Sequence, residues 1–436
     1  MTDAATAARP APPAPTAPER RRVLAASFVG TAIEWYDFFL YGAAAALVFA
    51  PQFFPGENAV AGQLSAFATF AVGFIARPIG GVLMGHFGDR VGRKSMLVLS
   101  MLIMGLATVF IGLLPNFAAI GVWAPILLVA LRFAQGIGVG GEWGGAVLLA
   151  VEYAPKRSRA FYGAFPQLGL PAGIILSNLV FIAVTAIFTP AFFADWGWRI
   201  PFLLSGLLVL VGLWLRRRVD ETPAFREVRS DAGRSRSPIG ELLRHHWRPV
   251  LLGGIACVAC PAIGYLYAVY LISYGVTVLG LPQPTMLWLI VGGAVIHLVT
   301  VYIGAVLSDR LGQKRVFAIG AAVVVLVSFP FWLLVDTAEP ALILLAFLLI
   351  LTGQSLMAGP QAALIAGLFP TRVRFSGASL SYQIGSIAGG GFAPLIAASL
   401  FAAYGSTIPI SIYLAALGAL SLVAVLLLDV GRHADD

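Results

Sequence analysis

Twelve apolar runs are strung along this chain, and one charged phrase recurs between them in both halves. The two copies are Asp89-Arg90-Val91-Gly92-Arg93-Lys94 and Asp309-Arg310-Leu311-Gly312-Gln313-Lys314, 220 residues apart in a chain of 436. A bilayer core takes roughly 20 apolar residues per helical crossing. Runs of that length predict helices over 23–50, 62–86, 95–114, 120–150, 159–188 and 197–215, then over 250–279, 285–308, 315–335, 340–368, 375–403 and 407–428. The pattern is an all-α membrane protein of twelve transmembrane helices in two six-helix bundles. Hydrophobic residues make up 59% and charged residues 11%, too little polar surface for a fold that faces water. Several runs are longer than a straight crossing needs, so bends at Gly and Pro are expected.

The predicted organisation is a disordered cytoplasmic tail over 1–22, a first six-helix bundle over 23–215, a cytoplasmic linker over 216–249, a second six-helix bundle over 250–428 and a short cytoplasmic tail over 429–436. The linker carries nine Arg and five acids, and no apolar helix could absorb them. A second echo supports the duplication: Pro155-Lys156-Arg157 with Arg159 after the fourth helix, and Pro370-Thr371-Arg372 with Arg374 after the tenth. Bundles duplicated in this way are related by an axis along the membrane normal.

The net charge of +8 does not point to nucleic acid, because of where the charges fall. All Lys and Arg except Arg77, Arg132 and Arg199 sit at the ends and in alternate loops, while the other loops carry Glu57, Asp195, Asp336 and Glu339. This is the positive-inside pattern. It predicts a multi-pass protein of the cell membrane with both termini cytoplasmic. The basic start, Arg20-Arg21-Arg22, is followed by an apolar run too long for a signal peptide. The only cysteines, Cys257 and Cys260, form a C-x-x-C inside an apolar helix with no second ligand pair, and read as packing.

Charges at bilayer depth are costly and mark function. The first half holds Glu34, Asp37, Arg77, Arg132 and Glu142; the second offers only His297 away from helix ends. Glu34, Asp37 and Tyr41 are spaced to share one face of helix 1. A carboxylate in a drying cavity can take up and release a proton near neutral pH, which makes Asp37 the first candidate proton carrier, with Glu34, Arg132 and Glu142 around it. The competing reading is a buried ion pair of Asp37 or Glu34 with Arg132 or Arg77. Two buried Arg suit a carboxylate-bearing solute, since guanidinium engages carboxylate bidentately. Candidate substrate contacts are Arg77, Arg132, Tyr41 and Gln135 in the first half, and Tyr265, Gln354, Gln361, Tyr382 and Gln383 in the second. The glycine-rich run from Gly136 to Gly145 follows no strand and is read as close helix packing, not a nucleotide site. No Walker motif is present, and neither a cofactor nor a metal is expected.

These phrases resemble the major facilitator superfamily, and more narrowly its metabolite:proton symporter family of proline/betaine, α-ketoglutarate, citrate and shikimate carriers. Glu34-Trp35-Tyr36-Asp37-Phe38-Phe39-Leu40-Tyr41-Gly42 is similar to the family's opening signature, Gly85 to Lys94 to the superfamily loop, and Arg132 with Gln135 and Gly136 to its helix 4 motif. Gly140-Gly141-Glu142-Trp143-Gly144-Gly145 and Trp196-Gly197-Trp198-Arg199-Ile200-Pro201-Phe202 resemble phrases of the narrower family. The resemblance implies proton-coupled uptake of a small polar metabolite, an organic acid or a zwitterionic osmolyte, by alternating access in a monomer. It also implies a cytoplasmic gate at Gly85, Asp89, Arg90, Gly92, Arg93, Asp309 and Arg310. The second loop has Ser308 and Gln313 where the first has Gly88 and Arg93, so a weaker latch is expected there. The alternatives are proton-antiport efflux on the same fold, and a membrane enzyme or a sensor, for which neither clustered catalytic groups nor an appended domain is seen.

Overall fold

The computed structural model describes residues 17–56, 58–91, 93–140, 154, 158–217, 242, 244–370 and 373–429. Twelve spans appear in order. In the first bundle they are α1 (Ala17–Leu47), α2 (Ala59–Val91), α3 (Arg93–Leu113), α4 (Trp123–Val139), α5 (Arg159–Ile187) and α6 (Ile200–Arg217). In the second they are α7 (Trp247–Thr277), α8 (Gln283–Leu311), α9 (Gln313–Val335), α10 (Pro340–Ala366), α11 (Ser376–Tyr404) and α12 (Ile408–Leu427). Each predicted run is matched by a helix. Residues 141–150 of the run predicted over 120–150 lie outside the described residues, and Glu142 with them.

Two spans are broken where the sequence carries Pro and Gly. In α7 the helix Trp247–Ala256 stops and resumes at Ala259, and a π-helical turn occupies Leu266–Tyr270. Pro261 explains the first break: its ring crowds the carbonyl four residues earlier, at Cys257, and it has no N–H to offer it. In α11 a second π-helical turn occupies Ser386–Gly391, just before Pro394. Such turns free backbone groups and reorient side chains, and they concentrate at functional sites. Both sit where the two bundles meet.

Close approach in the first bundle depends on glycine. A methyl group at Gly136 on α4 would collide with the Gly73 carbonyl on α2, and one at Gly73 would come within 2.6 Å of Arg132 Nε. Larger residues would wedge the two helices apart. Gly312, at φ 95°, is the single residue between α8 and α9, a conformation that only glycine adopts without strain.

Across the bundle interface α5 lies along α8 and α10. At one end of the molecule Phe67 on α2 meets Tyr270 on α7, their ring centroids 6.3 Å apart. At the other, Asp309 binds the first turn of α5: its two oxygens accept from the Ala160 and Phe161 N–H groups at 3.0 and 2.9 Å. Ser158, in the N-cap position, makes no side-chain cap. An acid from the opposite bundle thus takes over the N-capping role, where the helix dipole favours negative charge. Ser308 and Gln313 leave Asp309 free to make this two-pronged contact, while the side chains of the first loop, against which a weaker second latch is expected, lie outside the described residues. Gly92 lies outside the described residues, and of Gly85, Asp89, Arg90 and Arg93 only the helical backbone is described.

Candidate functional site

A narrow cavity of about 30 Å³ lies between the bundles, in this conformation room for one or two waters. Its wall draws on six spans: Trp35 and Phe39 of α1, Gln167 of α5, Cys260 and Tyr265 of α7, His297 of α8, Gln354 and Gln361 of α10, and Tyr382 of α11. Gln167 Nε2 donates to Gln361 Oε1 at 3.1 Å, a hydrogen bond that joins the two bundles across the cavity. Gln354 Nε2 donates to the Cys260 carbonyl at 2.7 Å, satisfying a backbone group near the α7 break. Tyr267 OH lies 3.2 Å from His297 Nδ1.

Four of the predicted contacts are therefore in the wall: Tyr265, Gln354, Gln361 and Tyr382. Five are not. Tyr41 donates its hydroxyl to Thr69 at 2.7 Å, Gln383 donates to the Gly140 carbonyl across the interface at 3.2 Å, and Gln135 is held inside the first bundle. Arg77 and Arg132 stand behind the aromatic lining. Cys260, read from sequence as packing, reaches the wall. Trp35, Phe39, Gln167 and His297 were not singled out as contacts, because an aromatic or a lone His on an apolar helix carries no mark of which way it faces.

The two arginines are almost wholly buried. The Arg132 guanidinium lies 4.1 Å from the ring centroids of both Phe38 and Tyr41, and Arg77 lies 4.6 Å from Phe38 and 4.2 Å from Phe74. Phe38 is shared between them. Arg132 Nη1 donates to Gln135 Oε1 at 3.0 Å, and Arg77 Nη1 donates to Ser386 Oγ, the first residue of the α11 π-turn, at 3.2 Å. The Nε and Nη2 of each have no hydrogen-bond partner among the described residues. Cation–π contacts return about 0.5–2 kcal/mol each, against several kcal/mol for burying an ion. Both guanidinium groups thus keep unused donors.

Asp37 is 1% exposed. Its carboxylate is faced by the Thr108 hydroxyl of α3 and the Ser205 hydroxyl of α6, with Glu34 nearby, yet neither oxygen meets hydrogen-bond geometry in this conformation. No ion pair joins Asp37 to Arg77 or Arg132 among the described residues, so the Asp37 form of the ion-pair reading is not what this conformation contains. What links acid and base is an uncharged chain. Gln135 donates to Thr108 Oγ1 at 2.7 Å while it holds Arg132.

Residues 27–390 match the Major Facilitator Superfamily. The chain belongs to that superfamily. Within it, the relatives place the chain in the metabolite:proton symporter family that the motifs resemble. It is 44% identical to the inner membrane metabolite transport protein YhjE of Escherichia coli (strain K12) over 95% of both chains, and 40% identical to the shikimate transporter of the same strain over the full length of both. It is also 33% identical to the Escherichia coli proline/betaine transporter, covering 87% of this chain and 77% of that one. In structure it resembles a D-xylose-proton symporter, with a TM-score of 0.73 at 18% identity over 95% of this chain and 98% of that one, which establishes the facilitator fold. The activity of this chain is transport across a membrane, not enzymatic conversion.

Proposed function

We propose that this facilitator is a proton-coupled symporter that imports a small carboxylate-bearing metabolite by alternating access, acting as a monomer with both termini cytoplasmic. One observation carries the reading: a buried carboxylate and two guanidinium groups, each with polar atoms that lack a hydrogen-bond partner among the described residues, sit behind the lining of an interbundle cavity. A proton on Asp37 and an anion drawn toward Arg77 and Arg132 would give these open groups their partners together, which is what coupling requires. The relatives' names, a shikimate transporter and a proline/betaine transporter, agree in a carboxylate and differ in the rest of the molecule. Organic acid and zwitterionic osmolyte both remain within the proposal. A thermal-shift screen of the purified protein with shikimate, α-ketoglutarate, proline, glycine betaine and neutral xylose tests the class. Stabilisation by at least one carboxylate and none by xylose is expected; stabilisation by xylose alone contradicts it.

Asp309 is proposed as the cytoplasmic latch that closes the inner end. Asp309→Asn keeps the size but loses the charge that meets the α5 dipole, a change worth about 1 kcal/mol, or about fivefold in the balance of two states. Labelling of a cysteine placed in the inner half of the cavity wall should rise by about that factor from the cytoplasmic side. Unchanged labelling with normal turnover would leave Asp309 a structural cap only.

A further inference from the structure

Gln135 is pinned by its two neighbours into one orientation. A guanidinium only donates, so the amide oxygen must face Arg132 and the amino group must face Thr108. Thr108 Oγ1 accepts that bond at 2.7 Å and sends its own proton to the Met104 carbonyl at 2.9 Å. That carbonyl is one turn back in α3 and already serves the helix ladder, so it loses little if the hydroxyl turns away. On its remaining side Thr108 faces the Asp37 carboxylate, and the Ser205 hydroxyl beside it has no partner among the described residues. Buried polar groups left open in this way call for an explanation. Here the open groups are those that would re-pair when Asp37 changes charge.

We propose that Thr108 is the positioning residue that couples the proton site to Arg132, its hydroxyl rotating between the Met104 carbonyl and Asp37 while Gln135 transmits the change. When Asp37 is ionised, the Thr108 hydroxyl donates to it. Its oxygen becomes more electron-rich, grips the Gln135 amide more firmly, and the polarised amide oxygen holds Arg132 in place. When Asp37 is protonated, its own O–H donates to Thr108 and the hydroxyl returns to Met104. The chain to Arg132 slackens, and the guanidinium is released toward an arriving carboxylate. The proton binds and leaves at an Asp37 oxygen throughout; nothing but hydrogen-bond direction passes through Gln135. Proton loading therefore favours anion binding, and by linkage the anion favours the proton, which is the coupling that symport needs.

This inference rests on reading Asp37 as the proton carrier, and the experiment separates the two. Thr108→Val, Thr108→Ser and Asp37→Asn are reconstituted in liposomes with whichever of shikimate, α-ketoglutarate, proline or glycine betaine gives the largest thermal shift. Proton-driven accumulation and substrate counterflow are measured for each. Thr108→Val, the isosteric loss of the hydroxyl, should lower accumulation by about tenfold, the scale of one hydrogen bond to a charged group, with counterflow within about twofold of the parent. Thr108→Ser should restore accumulation. Normal accumulation in Thr108→Val alongside loss in Asp37→Asn overturns the Thr108 role and leaves the carrier standing. Equal loss of accumulation and counterflow in Thr108→Val also overturns it, as a structural defect. Normal accumulation in Asp37→Asn overturns both.

Discussion

Asp37→Asn should abolish proton-driven accumulation while leaving substrate exchange intact. The carboxylate is buried between α1, α3 and α6, facing hydroxyls and with no cation paired to it among the described residues, so the amide fits the same space without creating an uncompensated charge. What the variant loses is the ability to carry a proton. For a zwitterionic substrate carried with one proton, one charge moving through 100 mV delivers about 2.3 kcal/mol, enough for a concentration ratio of about 50 across the membrane; a monoanion carried with one proton moves no net charge and draws on the pH gradient instead. The variant should bring that ratio close to unity. Counterflow needs no net proton movement, so it should persist at a comparable rate. Full accumulation in Asp37→Asn would remove this residue from the coupling mechanism.

Arg132→Lys should cut transport about tenfold to a hundredfold, although the helix that carries it still inserts. The charge is kept, so topology and the cost of burial change little. The planar fork is lost, and with it the arrangement in which one guanidinium lies against Phe38 and Tyr41 while Nη1 holds Gln135. An ammonium is compact and cannot satisfy these contacts in one position. A hydrogen bond to a charged group is worth about 1.5–3 kcal/mol, which sets the expected loss. Initial uptake rates at matched protein in the membrane check it; parental rates in the Lys variant would reduce Arg132 to a packing role.

The architecture was legible in the sequence because bilayer thickness imposes a length on every span, and each of the twelve runs met a helix among the described residues, with boundaries shifted by a few residues where both ends are described. The bends were legible only in kind. Pro261 and Pro394 announce that α7 and α11 are broken, but π-turns over Leu266–Tyr270 and Ser386–Gly391 depend on packing against the other bundle. Asp37, Arg77 and Arg132 stood out because charge at membrane depth is expensive. Their arrangement did not, since the same cost is met by an ion pair or, as here, by aromatic rings and an amide. Gln135 shows the limit well. Its chemistry suits a substrate contact, and only the position of Thr108 one helix away shows that both ends of the amide are occupied. Thr108 itself was unremarked, since a hydroxyl in a membrane helix commonly bonds back to its own turn and leaves no trace in the sequence.

The central claim is that proton and substrate cross together in the same direction. Liposomes holding the purified protein and an internal pH dye test it directly when the thermally stabilising carboxylate is added outside without an imposed pH gradient. Symport predicts a fall in internal pH that depends on the substrate and vanishes in Asp37→Asn. A substrate-dependent rise in internal pH would mean antiport, and no change in pH during measured uptake would mean transport without protons; either result contradicts the account.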